Sequence, residues 1–292
     1  MSPSRRRETW VGWGLVAPSL ILFALVYLYP VAYSAWVSFY EWDLNTPARY
    51  VGLQNYRALL SPEFREVLVN TVLYSGGVVL LSQGLGLVLA IGLNNRTRLG
   101  ALFQASIFSS YVVSWVAVSL LWIWLLDPQY GLVAYLFSMA RLPAVNWLGD
   151  HRIALWSLVL VTVWKTVGYP LVIYLAGLQA IPGDLYEAAA LDGADGWRRF
   201  RHITWPLLTP TTLFLSITLS IASFQGFDIV RIMTQGGPVT ATMIYVYYIY
   251  EQAFQYFKLG KASAAVVVFF ALIVVLTWLQ WLLFRRRLHY TA

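Results

Sequence analysis

The chain has 292 residues, of which 59% are hydrophobic and only 11% are charged, and its mean hydropathy is +0.64. So few charged side chains cannot cover the surface of a water-soluble domain, so we predict that most apolar residues face lipid. The net charge of +7 comes from scattered basic residues, which indicates membrane topology rather than a nucleic-acid-binding patch, and the absence of cysteine excludes disulfides and thiolate chemistry.

The first apolar segment, at about 12–34, is predicted to be a transmembrane helix, which needs roughly 20 apolar residues. A cleaved signal peptide is the alternative, because "RRR", an apolar run and "AYS" resemble a secretory signal with a small-x-small cleavage site. Cleavage would give a mature chain that begins near Ala35. We favour a retained span, because the apolar run from Val11 to Val37 is long for a signal peptide.

Five further segments are long and apolar enough to span a membrane, so we predict an all-α polytopic membrane protein with six transmembrane helices. The predicted spans cover about 12–34, 68–93, 102–126, 153–178, 207–230 and 263–284. They divide the chain into an N-terminal segment, 1–11, and a transmembrane domain, 12–292. The shorter apolar run at 130–137 is predicted to be a surface or re-entrant segment.

The Arg and Lys residues between the spans predict the orientation of the chain, because cytoplasmic loops are enriched in them. One side holds Arg5, Arg6, Arg7, Arg96, Arg98, Arg198, Arg199, Arg201, Arg285, Arg286 and Arg287. The other side holds Arg49, Arg57, Arg65, Arg141, Arg152, Arg231, Lys258 and Lys261, spread over longer loops. The compact Arg clusters on the first side predict that both termini are cytoplasmic.

The loop at 179–206, on the predicted cytoplasmic side, has the pattern of two short helices. "DLYE" at 184–187 predicts a capping box that begins the first helix, and Gly193 suits its end. Asp195 can cap the second helix, and Pro206 ends or redirects the chain before the fifth span. These residues alone are equally compatible with an amphipathic loop on the bilayer surface and with a docking element.

The order of residues in this loop resembles the EAA signature of ATP-binding-cassette importer permeases. The stretch reads "EAAALDGADGWRRFRHITWPLLTP", and only Trp205 departs from the pattern, which usually has Leu there. The matching positions are Glu187, Ala188, Ala189, Asp192, Gly193, Ala194, Phe200, Ile203, Pro206 and Pro210. The resemblance implies a cytoplasmic coupling-helix loop that docks on an ATPase subunit. The coupling residues it implies are Glu187, Ala188, Ala189, Leu191, Asp192 and Gly193.

Four other stretches are similar to the carbohydrate branch of these permeases, and the match covers most of residues 15–285. They are "PSLILFALVYLYP" at 18–30, "YVGLQNYRALL" at 50–60, "YLAGLQAIPGDLYEAA" at 174–189 and "MTQGGPVTATMIYVYYIYEQAF" at 233–254. The subunit type is that of maltose, multiple-sugar and glycerol-3-phosphate importers. The resemblance therefore implies half of a translocation pathway for a sugar or sugar-like solute, in a bacterial or archaeal inner membrane.

The resemblance also implies which molecules work with this chain. It predicts a second permease subunit, two copies of a cytoplasmic ATPase that binds ATP and Mg, and an extracytoplasmic solute-binding protein. No cofactor and no enzymatic activity are expected on this chain, and it has no GxxxxGK[ST] phosphate loop and no GxSxG motif. No metal site is expected either, because His151, His202 and His289 lie far apart in the sequence.

Candidate solute-pathway residues lie in the third, fourth and fifth spans. Lys165 is a charge within a span, which costs roughly 2.5–3.5 kcal/mol on insertion, so we expect it to contact carbonyls, form an ion pair or line the solute pathway. Gln225 is a polar candidate. The aromatic candidates, each of which could equally serve packing, are Trp122, Trp124, Trp164, Tyr169, Phe224 and Phe227.

The predicted outer loop contains "TQGGP", in which Gly236, Gly237 and Pro238 favour a tight turn. The resemblance implies that this loop contacts the docked binding protein, and a plain turn is the alternative. Asp228 is expected to pair locally with Arg231 as surface structure.

A self-contained secondary carrier is the competing function, and an intramembrane enzyme is a third. A secondary carrier would show inverted repeats and acidic residues deep in the spans, and the sequence has no obvious repeat and no such acid. An enzyme would need a paired nucleophile and base within the spans, and none is evident.

Overall fold

The structure is a computed structural model that describes residues 3–94 and 97–285. Within that part of the chain the fold is helical apart from two short antiparallel strands, in which Tyr40 pairs with Tyr50. The predicted all-α class is confirmed. Arg96, Arg286, Arg287 and His289, on which the sequence predictions drew, lie outside the described residues.

The elements follow one another with short connections. In chain order they are α1 Pro3–Phe23, a π-helical turn Ala24–Leu28, α2 Tyr29–Val37, β1 Tyr40–Glu41, β2 Arg49–Tyr50, α3 Gln54–Ala58, α4 Pro62–Gly92, α5 Arg98–Val112, α6 Trp115–Leu125, α7 Leu132–Met139, α8 Ala154–Thr166, α9 Gly168–Gln179, α10 Gly183–Leu191, α11 Gly196–Arg199, a π-helical turn Phe200–Thr204, α12 Trp205–Leu207, α13 Thr209–Phe224, α14 Phe227–Met233, α15 Tyr245–Tyr250, a π-helical turn Glu251–Gln255, and α16 Leu259–Arg285.

The helices form two compact units. The first comprises the chain up to Ser61 and Ile249–Ala271, and the second comprises Pro62–Tyr248 and the chain from Leu272. In the first unit the amide of Asn55 donates to the carbonyls of Ser38 and Tyr40, both at 2.9 Å. The amide of Leu259 donates to the Trp42 carbonyl at 2.9 Å, which joins the start of α16 to the segment after α2.

The core of the second unit lies where α4, α9 and α13 meet, and two glycines allow close helix contacts. A Cβ on Gly86 of α4 would lie 2.8 Å from the Pro170 side chain, and one on Gly168 would lie 2.7 Å from the Phe108 backbone. Small residues of this kind let membrane helices approach closely. The core side chains are Ala90, Leu171, Tyr174, Leu175, Leu178, Leu208, Leu215 and Leu219.

Polar side chains also join the helices of this unit. Gln83 of α4 donates to the Ser216 hydroxyl of α13 at 2.9 Å, and Gln280 of α16 donates to the Ser220 hydroxyl at 2.8 Å. Hydrogen bonds between buried polar groups stabilise helix association in lipid, where water does not compete.

Four helical segments are long and apolar enough to cross a membrane, and two bent helix pairs meet the same test together. The single segments are Val11–Val37, Pro62–Gly92, Thr209–Met233 and Leu259–Leu283. The predicted third span consists of α5 and α6, which are bent by 101° at Val113 and Ser114, and the predicted fourth consists of α8 and α9, bent by 47°. The described residues therefore give up to six spans if each pair counts as one.

Candidate functional site

The coupling loop, residues 179–206, folds into the two predicted helices, although the first begins differently than expected. Helix α10 starts at Gly183 with Pro182 as its N-cap, and no side chain caps it. The predicted capping box of Asp184 and Glu187 is therefore wrong. Asp184 lies in the first turn of α10 and not at its N-cap position. A carboxylate in the first turn interacts favourably with the positive end of the helix dipole.

The predicted end of α10 is confirmed in detail. Gly193 has a φ of +73°, its amide donates to the Ala190 carbonyl at 3.1 Å, and the amide of Ala194 donates to the Ala189 carbonyl at 2.9 Å. These two bonds form a Schellman motif, in which a left-handed glycine satisfies the last carbonyls of a helix. The predicted cap of α11 is also confirmed, because the Asp195 carboxylate accepts from the amide of Arg198 at 2.7 Å.

One face of α10 is held against the rest of the loop and the other is open. The Tyr186 hydroxyl lies 2.9 Å from that of Thr204, and Ala189 is half-buried. Glu187 and Ala188 are exposed, and Leu191 is 91% exposed. Asp192 and Gly193 are exposed as well. The open face therefore combines a carboxylate with small and apolar side chains.

A cavity of about 290 Å³ lies in the second unit beside the breaks between α5 and α6 and between α13 and α14. Its wall combines aromatic rings, hydroxyl groups, an amide and a carboxylate. The lining residues are Tyr74, Val78, Tyr111, Trp115, Thr162, Thr166, Leu219, Ala222, Ser223, Gln225, Gly226, Asp228 and Ile229. Such a mixture can orient a small polyhydroxylated molecule through ring faces and a few hydrogen bonds.

The polar side of the cavity lies where α13 ends and α14 begins. Gln225 is the C-cap of α13, and Gly226 precedes α14. A Cβ on Gly226 would lie 2.8 Å from the Tyr74 hydroxyl, which itself lies 2.9 Å from that of Thr162. The glycine therefore allows the break to pack against this hydroxyl pair.

Lys165 contacts backbone carbonyls, which is one of the three roles predicted for it. It is not among the described residues that line the cavity. Its side chain is 3% exposed, and its ammonium donates to the carbonyls of Ser110, Tyr111 and Val113 at 3.3, 2.9 and 2.6 Å. The last carbonyls of α5 have no partners within the helix, so the ammonium supplies donors at its negative end. The ammonium also lies 4.8 Å from the centre of the Trp115 ring, so it supports the cavity wall from behind.

None of the aromatic candidates is among the described residues that line the cavity. Tyr169 stacks on the cavity residue Tyr111 with ring centres 5.5 Å apart, and Phe224 is buried. Trp164 packs edge-on against Trp122 at 5.5 Å. Of the eight pathway candidates, only Gln225 is among the described residues that line the cavity, and the roles of all eight stay predictions.

Asp228 is exposed, as expected of surface structure, but it also lines the cavity, which sequence reasoning missed. A signal was present, because Asp228 follows the polar break Gln225–Gly226 by two residues. Trp115 and Thr162 gave no signal, since nothing in a single sequence shows that α6 and α8 face the same space.

The loop at 234–243, which the sequence predicts to lie on the outer side, is held by hydrogen bonds around its two glycines. Gly236 has a φ of +82°, and the Thr242 hydroxyl donates to the Gly237 carbonyl at 2.6 Å. The side-chain amide of Asn70, on α4, donates to the backbone carbonyl of Thr240 at 2.8 Å. Val239, next to Pro238, is 94% exposed, so the loop presents an apolar tip.

Comparisons with known proteins agree on one family. Residues 83–289 match the family described as binding-protein-dependent transport system inner membrane component. A probable ABC transporter permease protein of Pyrococcus horikoshii is 34% identical over 90% of this chain and 92% of its own length. The sn-glycerol-3-phosphate transport system permease protein UgpA of Agrobacterium fabrum is 34% identical over 94% of this chain and 95% of its own.

A solved structure shares the fold. A chain of a bacterial alginate ABC transporter, in complex with an alginate pentasaccharide-bound periplasmic protein, aligns with a TM-score of 0.84 at 24% identity. The alignment covers 97% of this chain and 96% of that one. The chain therefore belongs to the family of binding-protein-dependent transport system inner membrane components, and it is a permease subunit of an ABC importer rather than an enzyme.

Proposed function

We propose that this permease subunit forms half of a translocation pathway for a neutral sugar or sugar-like solute. The carrying observation is the cavity at the two helix breaks, where the Trp115 ring lies with the hydroxyl of Thr162, the amide of Gln225 and the carboxylate of Asp228. Aromatic faces and a few hydrogen-bonding groups suit a sugar ring. Glycerol-3-phosphate and the acidic polysaccharide alginate, which the names of similar transporters mention, support a hydroxyl-rich solute but not its neutrality, which is argued from the cavity alone.

The charge of the cavity supports a neutral solute over an anionic one. Among its described lining residues, Asp228 is the only charged group, and none is Lys or Arg. Lys165 is directed at the backbone carbonyls of the α5–α6 break instead. An anionic solute would meet a carboxylate here without a compensating cation.

The coupling loop is proposed to dock on the ATPase. Two copies of that separate subunit would bind ATP and Mg, and this chain would hold no cofactor. Glu187, Ala188, Ala189, Leu191, Asp192 and Gly193 lie on or at the end of α10, and Leu191 is almost fully exposed in a polar loop. One exposed leucine is common on protein surfaces, so the proposal depends on the order of residues from Glu187 to Gly193, which resembles the EAA signature.

The remaining partners and the orientation are also proposals. A second permease subunit and lipid would cover the segment Val11–Val37, whose most apolar window is 0% buried within the chain. The extracytoplasmic solute-binding protein would contact the outer loop through Gly236, Gly237 and Pro238. Both termini would be cytoplasmic, in a bacterial or archaeal inner membrane.

The test is uptake by the complete transporter in proteoliposomes, supplied with ATP on the ATPase side and with its binding protein. We expect ATP-dependent uptake of a neutral disaccharide and little uptake of glycerol-3-phosphate. Trp115→Ala should reduce sugar uptake at least tenfold, whereas Trp124→Ala, whose side chain is exposed and outside the cavity lining, should change it less than twofold. Equal effects of the two substitutions would contradict the cavity as the solute pathway.

A further inference from the structure

A second pocket, of about 400 Å³, lies behind α10 in the coupling loop. We call it the headgroup pocket. Its lining mixes polar and apolar residues, and the eight described ones are Ile91, Asn94, Leu178, Tyr186, Gly196, Arg199, Phe200 and Thr204. None of these described lining residues is acidic, so the single charged group, Arg199, gives the pocket a positive charge.

Arg199 is held in the pocket without a partner in the described part of the chain. Its side chain is half-buried, and its buried Nε atom has no hydrogen bond to residues 3–94 or 97–285. A buried donor that makes no bond costs about 1–3 kcal/mol, and more when the group is charged. A guanidinium in this condition is suited to donate hydrogen bonds to the oxygens of a phosphate or carboxylate.

Two apolar residues of the pocket lie at the ends of predicted spans. Ile91 is next to the last residue of α4, and Leu178 is next to the last residue of α9. Ile91 is exposed, so the apolar surface of α4 continues from the span into the pocket. A ligand in this pocket would contact apolar side chains at the ends of the spans and also the cation of Arg199.

The aromatic residues beside the pocket indicate the same depth in the membrane. Trp197 stacks on Phe200 with ring centres 5.6 Å apart, and the ring centres of Phe200 and Trp205 are 6.3 Å apart. Both tryptophans are exposed. Tryptophan side chains favour the interface between headgroups and acyl chains.

We infer that the headgroup pocket binds the phosphate of an anionic phospholipid, with Arg199 as its main contact and the hydroxyls of Tyr186 and Thr204 beside it. The acyl chains would follow the exposed end of α4 past Ile91. Basic pockets at the cytoplasmic ends of membrane helices are known to take anionic headgroups. This site is separate from the solute pathway and does not depend on which solute the transporter carries.

The test is native mass spectrometry of the delipidated complete transporter after addition of phosphatidylglycerol or phosphatidylcholine. We expect the unaltered transporter to retain phosphatidylglycerol preferentially and Arg199→Gln to retain about tenfold less, the effect of losing a charge-assisted hydrogen bond. Arg198→Gln and Arg201→Gln are matched controls, because both residues are exposed neighbours outside the pocket lining. The inference is overturned if all three substitutions lower retention equally, or if none does.

A second measurement uses the unaltered chain and does not depend on whether Arg199→Gln assembles. Phenylglyoxal modifies accessible arginines, and peptide mapping then reports Arg199 separately from Arg198 and Arg201. Phosphatidylglycerol should protect Arg199 several-fold and leave the other two unchanged. Protection by inorganic phosphate but not by lipid would overturn the lipid assignment, as would protection by the ATPase subunit in the absence of any anionic lipid.

Discussion

The coupling loop and the wall of the cavity are stabilised by contacts of different range. In the loop the helix ends are fixed by bonds between residues three to five apart, such as Arg198 with Asp195 and Ala194 with Ala189. Around the cavity the polar contacts join distant parts of the chain, since Tyr74 and Thr162 are 88 residues apart and Lys165 and Val113 are 52 apart. The loop therefore holds its shape through local contacts, whereas the cavity depends on several helices staying packed.

The largest effect expected on transport comes from the loop, through Gly193→Val. A β-branched residue at a φ of +73° is strained by about 1–3 kcal/mol, so the Schellman motif should open and α10 should lose its fixed end. We expect membrane insertion at normal levels and loss of ATP-dependent uptake, measured in proteoliposomes.

Gly183→Val is the matched control for Gly193→Val. A Cβ at either glycine meets nothing within 4 Å, and only Gly193 has a positive φ. Uptake near the unaltered level with Gly193→Val would refute the proposed role of this helix end.

Glu187→Lys tests the same surface by charge and should abolish stimulation of the ATPase while the loop stays folded.

The largest effect expected on stability comes from the cavity wall, through Lys165→Met. The substitution leaves the carbonyls of Ser110, Tyr111 and Val113 without their charged donor, and hydrogen bonds to charged groups are worth about 1.5–3 kcal/mol. We expect a lower thermal unfolding midpoint in detergent. Lys258→Met, at an exposed lysine, serves as the control and should leave the midpoint unchanged.

A smaller effect is expected from Gly226→Ala, because the added methyl would lie 2.8 Å from the Tyr74 hydroxyl. Overpacking of this kind costs about 1–3 kcal/mol, and here it acts on the break beside Gln225. Uptake rate should fall several-fold, and the double variant with Tyr74→Phe should recover part of it. Lack of any recovery would show that the close contact with the hydroxyl is not the cause.

The smallest effect is expected from Asp195→Ala, which removes one local cap. Loss of an N-cap side chain costs about 1 kcal/mol, so α11 should fray without unfolding the transporter. Hydrogen exchange of the Arg198 amide, which the Asp195 carboxylate binds, should become faster, while uptake changes by less than about threefold. A large loss of uptake would mean that the loop is not locally stabilised as described.

Sequence alone predicted the features that short-range rules control. The end of α10 at Gly193 and the cap at Asp195 follow from two or three neighbouring residues, and both are confirmed. The start of α10 was mispredicted because Pro182 and Gly183 compete with Asp184 for the same turn. The cavity could not be predicted, because its wall depends on which faces of α4, α6, α8 and α13 meet. Hydropathy does not show which face of a membrane helix packs against another helix.

The three carbonyl contacts of Lys165 have a consequence for how the chain is made. A lysine that enters the hydrocarbon alone costs roughly 2.5–3.5 kcal/mol, and its acceptors all lie on the helix pair synthesised before it. We therefore expect α5 and α6 to remain beside the insertion machinery until α8 has emerged and packed against them. The order of synthesis then suits the fold, since the bend is already present when the charge that stabilises it arrives.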